Sequence, residues 1–121
     1  MILGLRTVVY PVGDLAAAKT WYGEATGATP YFDQPFYVGF SIGGFELGLV
    51  PDGTPGAAGA TAYWGVADAG TALARLTAMG AAVHEEVTDV GEGIRVAAVR
   101  DPWGNVFGVI ENPHFDPKQV R

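Results

Sequence analysis

Residues 7–15 read Thr7-Val-Val-Tyr-Pro-Val-Gly-Asp-Leu15, and residues 61–69 read Thr61-Ala-Tyr-Trp-Gly-Val-Ala-Asp-Ala69. The two stretches share Thr, Val and Asp at positions that lie 54 residues apart. Each continues into an Ala-rich run that ends in Gly-Ala, at 27–28 in the first stretch and at 80–81 in the second. Repetition at a fixed distance indicates two copies of one supersecondary unit.

Each copy predicts the same order of elements. A β-rich run precedes Asp14 or Asp68, whose carboxylate can cap a following helix, and Gly27 or Gly80 ends that helix. Three strands separated by turn residues follow each helix, at 28–32, 37–42 and 45–50 in the first copy and at 81–88, 94–99 and 106–110 in the second. We therefore predict an α+β fold of two βαβββ modules that form a curved-sheet cup with the helices outside.

The length of 121 residues suits one domain. Within it we expect module one at 1–52, a Pro- and Gly-containing linker at 53–59, module two at 60–112 and a polar tail at 113–121. Two such half-sheets with helices on one face only would leave a cavity between their other faces. The repeat thus predicts a ligand cavity.

Composition excludes several classes of protein. The absence of cysteine excludes a disulfide scaffold and a thiol nucleophile. A net charge of −6 with scattered Lys and Arg argues against nucleic acid and against an anionic membrane surface. No apolar run approaches the length of a membrane span, and the first residues read as a strand rather than a secretory signal. A cytoplasmic protein is expected.

Two motifs carry a family resemblance. Val12-Gly-Asp-Leu15 with Trp21-Tyr22-Gly23, and Asp101-Pro-Trp-Gly-Asn-Val-Phe-Gly108, are similar to segments of the vicinal oxygen chelate superfamily, which includes glyoxalase I, bleomycin-resistance proteins and extradiol dioxygenases. The resemblance spans roughly residues 1–112. It implies paired βαβββ modules and a homodimer, and it leaves the activity open because this fold hosts many chemistries.

The resemblance also implies four metal-ligand positions, two in each module. They fall at Thr7, Glu46, Thr61 and Gly108, of which only Glu46 is a good ligand for a divalent ion. We therefore expect neither a metal site nor another cofactor. His84, Glu85 and Glu86 lie on one predicted strand, where neighbours point to opposite faces, and they are interpreted as a solvated edge.

Alternation of side chains predicts which residues line the cup. The inner face is expected to be mixed apolar and polar, with glycines leaving room for an organic, aromatic molecule. The segment 31–37 holds four aromatic residues, whose rings either stack on a ligand at the rim or pack between helix and sheet. The ligand-binding candidates are Thr7, Glu46, Thr61, Tyr63, Gly108, Phe32 and Phe36.

Three functions fit these residues, and binding is favoured over catalysis. The first is a metal-free protein of the bleomycin-resistance type, involved in antibiotic resistance in a bacterium, that sequesters an aromatic or cationic small molecule. The second is a lyase, isomerase or dioxygenase relative, with Glu46 as general base or sole retained metal ligand and Arg95 or Arg100 as electrophile. The third is a non-catalytic subunit or regulator.

Overall fold

The computed structural model describes residues 1–56 and 58–120, and these contain two α-helices and eight strands. The order βαβββ occurs twice, so the predicted α+β class with two such modules is confirmed. The elements are β1 (Ile2–Pro11), α1 (Leu15–Thr26), β2 (Phe32–Gln34), β3 (Tyr37–Ile42), β4 (Phe45–Val50), β5 (Thr61–Val66), α2 (Ala69–Ala78), β6 (Ala82–Gly91), β7 (Ile94–Arg100) and β8 (Val106–Glu111). A short 3-10 helix (Pro117–Gln119) follows β8.

The two helices begin and end where the repeat predicts. The Asp14 carboxylate accepts a hydrogen bond from Ala17 N at 3.0 Å, and that of Asp68 accepts one from Thr71 N at 2.8 Å. Each satisfies a backbone donor that has no partner within the helix. Gly27 follows α1 with φ at 72°, a left-handed conformation that costs glycine little. Neither helix is long and apolar enough, within the described ranges, to cross a membrane.

The chain divides into two compact units. The N-terminal unit holds Thr7–Thr61 with residues 116–120, and its strands run in the order β2-β3-β4-β1. Only β4 and β1 are parallel among these neighbours. Helix α1 packs on one face, where Leu15, Ala18 and Tyr22 contact the fully buried side chains of Val38, Phe40 and Leu49.

The C-terminal unit holds Met1–Arg6 with Ala62–Phe115. Its strands run β5-β8-β7-β6, with β5 and β8 parallel and the other pairs antiparallel. Helix α2 covers one face of this sheet over a core of Val66, Ala72, Leu73, Ala97, Val99 and Val109. In each unit we call the sheet face opposite its own helix the distal face.

Side-chain alternation assigns residues to the two faces largely as predicted. Leu47 packs with the α1 core and Phe107 with the α2 core, so both face helices, as the alternation predicts. Helical spacing predicts that Trp21, with Ala18, widens the apolar stripe of α1. This prediction is wrong, because the Trp21 side chain is 62% exposed. The cup that two half-sheets would form stays a prediction.

One strand is displaced from its predicted place. The sequence predicts a strand at 28–32, whereas β2 covers Phe32–Gln34. Pro30 lies inside the predicted range and has no N–H for a strand ladder. The first backbone hydrogen bond to β3 therefore comes after Pro30, from Tyr31 N to Gly39 O at 2.9 Å, and β2 begins at Phe32, which lies opposite Gly39.

Candidate functional site

Thr7 and Glu46 lie side by side on the distal face of the N-terminal unit. The parallel pairing of β1 and β4 places Thr7 opposite Glu46, and the Thr7 hydroxyl donates to Glu46 Oε1 at 3.2 Å. Thr7 is 5% exposed, the one polar side chain among the buried residues of the described chain. Buried hydroxyl groups need a partner, and Glu46 provides it.

Tyr31 holds the other carboxylate oxygen. Its hydroxyl donates to Glu46 Oε2, so each oxygen of Glu46 accepts from a different side chain. A side chain at Gly39 would disturb this arrangement, because its Cβ would lie 2.9 Å from Glu46 Oε2 and 3.0 Å from a Tyr31 ring carbon. The sequence indicates Tyr31 only as part of an aromatic segment and does not predict its contact with Glu46. The only signal was that segment's position between the helix and β3.

Two glycines of the distal faces, Gly48 and Gly108, lie beneath tyrosine side chains. A Cβ at Gly48 would overlap the Tyr37 hydroxyl, and a Cβ at Gly108 would lie 2.6 Å from Tyr63 Cδ1. The sequence predicts that these glycines leave room for a ligand. The structure instead gives that room to the protein's own aromatic side chains, which then form the surface that a ligand would meet.

Phe32 and Phe36 lie at the edge of the same unit and are largely exposed, at 38% and 65%. Their rings meet edge to face at 6.0 Å between centroids, and Phe32 meets Tyr37 at the same distance. Neither belongs to the core beneath α1, so packing between helix and sheet does not account for them. They continue the tyrosine surface as exposed aromatic area.

Tyr63 is the corresponding aromatic residue of the C-terminal unit, where it lies opposite Gly108 in the β5–β8 pair. Burial raises the pKa of its phenol, and the negative charge of Glu85 raises it further. Tyr63 therefore stays neutral and can donate a hydrogen bond at any ordinary pH. Thr61, the remaining candidate, belongs to the N-terminal unit and is half-buried.

The two arginines considered as electrophiles occupy opposite faces of β7. Arg95 turns towards the helix side, with Nη1 3.4 Å from Glu111 Oε1. The same oxygen accepts from Ala69 N at the start of α2 at 2.9 Å. Arg100 is exposed, and alternation places it on the distal face. Arg95 is thus engaged in holding α2, and only Arg100 faces the distal side.

The four positions at which the resemblance implies metal ligands do not fit a metal ion. Thr7 and Gly108 offer poor or no ligands, and both oxygens of Glu46 already accept hydrogen bonds. Across 1–56 and 58–120, no three His, Asp or Glu side chains are grouped as a metal would need. His84, Glu85 and Glu86 are exposed on β6, the edge strand, as their interpretation predicts.

A chain in which the order βαβββ occurs twice has the architecture of a glyoxalase-type fold. The family described as Glyoxalase/Bleomycin resistance protein/Dioxygenase superfamily matches residues 4–109. The chain therefore belongs to this superfamily, as the two motifs indicate. Among curated proteins, none matches it.

Solved structures of the same fold cover nearly the whole chain. Methylmalonyl-CoA epimerase from Mycobacterium tuberculosis is 19% identical with a TM-score of 0.70, over 97% of this chain and 91% of that one. A variant of the Streptomyces coelicolor epimerase in complex with 2-nitronate-propionyl-CoA is 15% identical with a TM-score of 0.77, over 96% and 99%. A superfamily member from Vibrio splendidus 12B01 is 17% identical with a TM-score of 0.66, over 88% and 97%. At these identities the likeness shows the fold alone.

Proposed function

We propose that this protein binds a small organic molecule without a metal ion and sequesters it, in the manner of a bleomycin-resistance protein. The observation that carries the proposal is the cluster of Glu46, Thr7 and Tyr31 on the distal face of the N-terminal unit. A cationic or N–H-donating group of the ligand would bind the Glu46 carboxylate, and its aromatic part would lie on the neighbouring rings.

The carboxylate of Glu46 is suited to this role because it is fixed and still has acceptor capacity. Two carboxylate oxygens offer about four lone-pair sites, and Thr7 and Tyr31 use one on each oxygen. Held by two donors, the carboxylate needs little reordering when a ligand arrives, which reduces the entropic cost of binding. The net charge of −6 also attracts a cation.

Exposed aromatic residues of the same unit would supply the apolar contact. Phe32 and Phe36 expose much of their rings, and Tyr37 joins them to the sheet. Aromatic faces attract both flat rings and organic cations. Small-molecule sites combine such surfaces with a few fixed polar groups, and this unit offers both.

The test is isothermal titration calorimetry with bleomycin and with benzyltrimethylammonium as a simple aromatic cation. Glu46→Gln should weaken binding of either probe by about 10- to 100-fold, because a hydrogen bond to a charged group contributes about 1.5–3 kcal/mol. Glu24→Gln is the matched control, since it removes the same charge from the exposed surface of α1. Equal affinities for the two variants would refute Glu46 as the anchor.

An enzymatic role is the second candidate, and one observation favours it. The Tyr31 hydroxyl and the Glu46 carboxylate form a hydrogen-bonded proton donor and acceptor on the distal face, and a carboxylate so placed is a possible general base. Because several structural neighbours are methylmalonyl-CoA epimerases, methylmalonyl-CoA in D2O is the first substrate to try. If the native protein introduces deuterium into this substrate and Glu46→Gln does not, the proposed function becomes catalysis instead of sequestration.

The homodimer expected from the resemblance is part of the proposal. Multi-angle light scattering of the purified protein gives the mass directly. A mass near twice the 12.6 kDa of the chain supports the dimer, and a monomer at all concentrations tested contradicts it.

A further inference from the structure

The Arg6 side chain occupies a site on the C-terminal unit that the proposed function does not use. Its guanidinium carbon lies 3.6 Å from the centroid of the Phe115 ring. Its stem crosses Gly65, where a Cβ would come within 2.7 Å of Nε, and a Cβ at Gly4 would lie 3.1 Å from Nη1. The backbone at Gly4 and Gly65 and the ring of Phe115 thus surround this cation, and we call these three residues the cradle of Arg6.

This cradle lies on the distal face of its unit. Gly65 alternates with Val66, which is buried in the α2 core, so Gly65 faces away from α2. It pairs with Ile110 of β8, two positions along from the Tyr63–Gly108 pair. Arg6 therefore stands on the same side of the sheet as the Tyr63 ring.

The charge of Arg6 has no acidic partner in the described chain. Ion pairs between side chains in the ranges 1–56 and 58–120 join Lys19 to Asp33 and Arg95 to Glu111. The hydrogen bond from Arg6 goes to Leu5 O at 3.3 Å, although a guanidinium has five N–H donors. Partial burial lowers its pKa, which is the expected effect of removing water from a cation that no anion compensates.

We propose that Arg6 is an anion-binding residue that takes the carboxylate of a small organic molecule. Contact with the face of the Phe115 ring holds the guanidinium in place, and a ligand would bind N–H donors other than the one bonded to Leu5 O. A planar fork of N–H groups matches the two oxygens of a carboxylate. Arg75 and Arg100 also form no ion pair among the described residues, but both are exposed. What sets Arg6 apart is its place against Phe115, Gly65 and Gly4.

The test uses benzoate as probe and benzamide as its neutral counterpart. In a 15N-labelled sample, benzoate should shift the Nε–Hε resonance of Arg6 in a saturable manner and leave that of Arg95, which is paired with Glu111, unchanged. Benzamide should bind at least tenfold more weakly. Equal shifts at both arginines, or equal affinities for both probes, would overturn the proposal.

Variants separate binding from a purely structural stacking role. Arg6→Gln should weaken benzoate binding at least tenfold, and Arg6→Lys should lose less because the charge remains. Arg75→Gln, which removes an exposed arginine of α2, should stay within twofold of the native protein. Unchanged benzoate binding in Arg6→Gln would overturn the proposal. If that variant folds poorly, the resonance shifts of the native protein still test the proposal.

This site is independent of the proposed function. Glu46→Gln should leave benzoate affinity within twofold, and Arg6→Gln should leave the affinity for benzyltrimethylammonium within twofold. A loss of benzoate binding in Glu46→Gln would overturn the separate anion site, whatever the outcome for the cationic probe.

Discussion

The bond between Thr7 and Glu46 allows a quantitative test of how Glu46 is held. Thr7→Val removes the hydroxyl with little change of shape and leaves the half-buried carboxylate with one donor fewer. A hydrogen bond to a charged group contributes about 1.5–3 kcal/mol. The distance of 3.2 Å is long for a hydroxyl donor and Glu46 is partly exposed, so we expect a loss of about 1–1.5 kcal/mol.

The assay is urea unfolding followed by far-UV circular dichroism. With a slope of about 1–3 kcal/mol per molar urea, Thr7→Val should lower the midpoint by roughly 0.5–1 M. Glu46→Met alone leaves the buried Thr7 hydroxyl without its acceptor, which costs about 1–3 kcal/mol. The double variant replaces both partners by apolar groups and should therefore recover part of the loss, with a coupling energy of about 1–2 kcal/mol.

Ser41 provides a matched control for this cycle. It lies opposite Glu46 on the other side, in the β3–β4 pair, and no hydrogen bond joins the two side chains in the described structure. Ser41→Ala and Glu46→Met should therefore be additive within about 0.5 kcal/mol. A Thr7–Glu46 coupling as small as the Ser41–Glu46 coupling would refute the view that Thr7 positions the carboxylate.

Four further outcomes are expected in unfolding experiments. Leu49→Ala should cost about 2–5 kcal/mol because the side chain is fully buried, and a loss below 1 kcal/mol, about the cost of a surface change, would contradict the assigned core. Hydrogen bonds from the Asn105 side chain and backbone lower the pKa of Asp101. The ionised Asp101 carboxylate therefore stabilises the fold above the ordinary pKa of 3.8, and this stabilisation is lost as the pH falls through the lower pKa of the folded state. Asp101→Asn should make the free energy of unfolding less dependent on pH in this acid range. The raised pKa of Tyr63 affects stability at alkaline pH, where the free energy of unfolding should decline as the pH rises above 10.0. Tyr63→Phe should remove that decline. Gly108→Glu should destabilise by about 1–3 kcal/mol through overpacking against the Tyr63 ring, and native stability would show that the ring is not fixed.

The sequence predicts the elements of this fold well because the relevant signals are local. Asp14 and Asp68 cap the helices and Gly27 takes a left-handed conformation, each for a reason that lies within a few residues. Register between distant strands follows from the resemblance and the repeat, which together place Thr7 and Glu46 in one row, as the β1–β4 pairing has it.

The contacts that the sequence does not predict are those between distant side chains. Tyr31 reaches Glu46 across 15 positions, and Arg6 stacks on Phe115 from the other end of the chain. Neither pair shares a spacing, a motif or a secondary-structure period that would join them. Trp21 shows the converse error, because helical spacing alone placed it towards the core although its ring is exposed.

Tyrosine rings pack on glycines of the distal faces. This packing explains why these glycines do not leave the free space that the sequence predicts. A glycine opposite an aromatic residue on a neighbouring strand gives the ring a flat bed of backbone, as Gly108 does for Tyr63. Glycines alternating along a strand therefore indicate free space when only the sequence is read, whereas in the fold aromatic side chains fill that space. The aromatic side chains also cover the strand backbone. A ligand would therefore meet tyrosine hydroxyls and the Glu46 carboxylate rather than the strands themselves. On this physical basis we propose binding by Glu46 and the aromatic residues of its unit in place of binding by a metal ion, since phenols and a fixed carboxylate would recognise hydrogen-bonding organic groups.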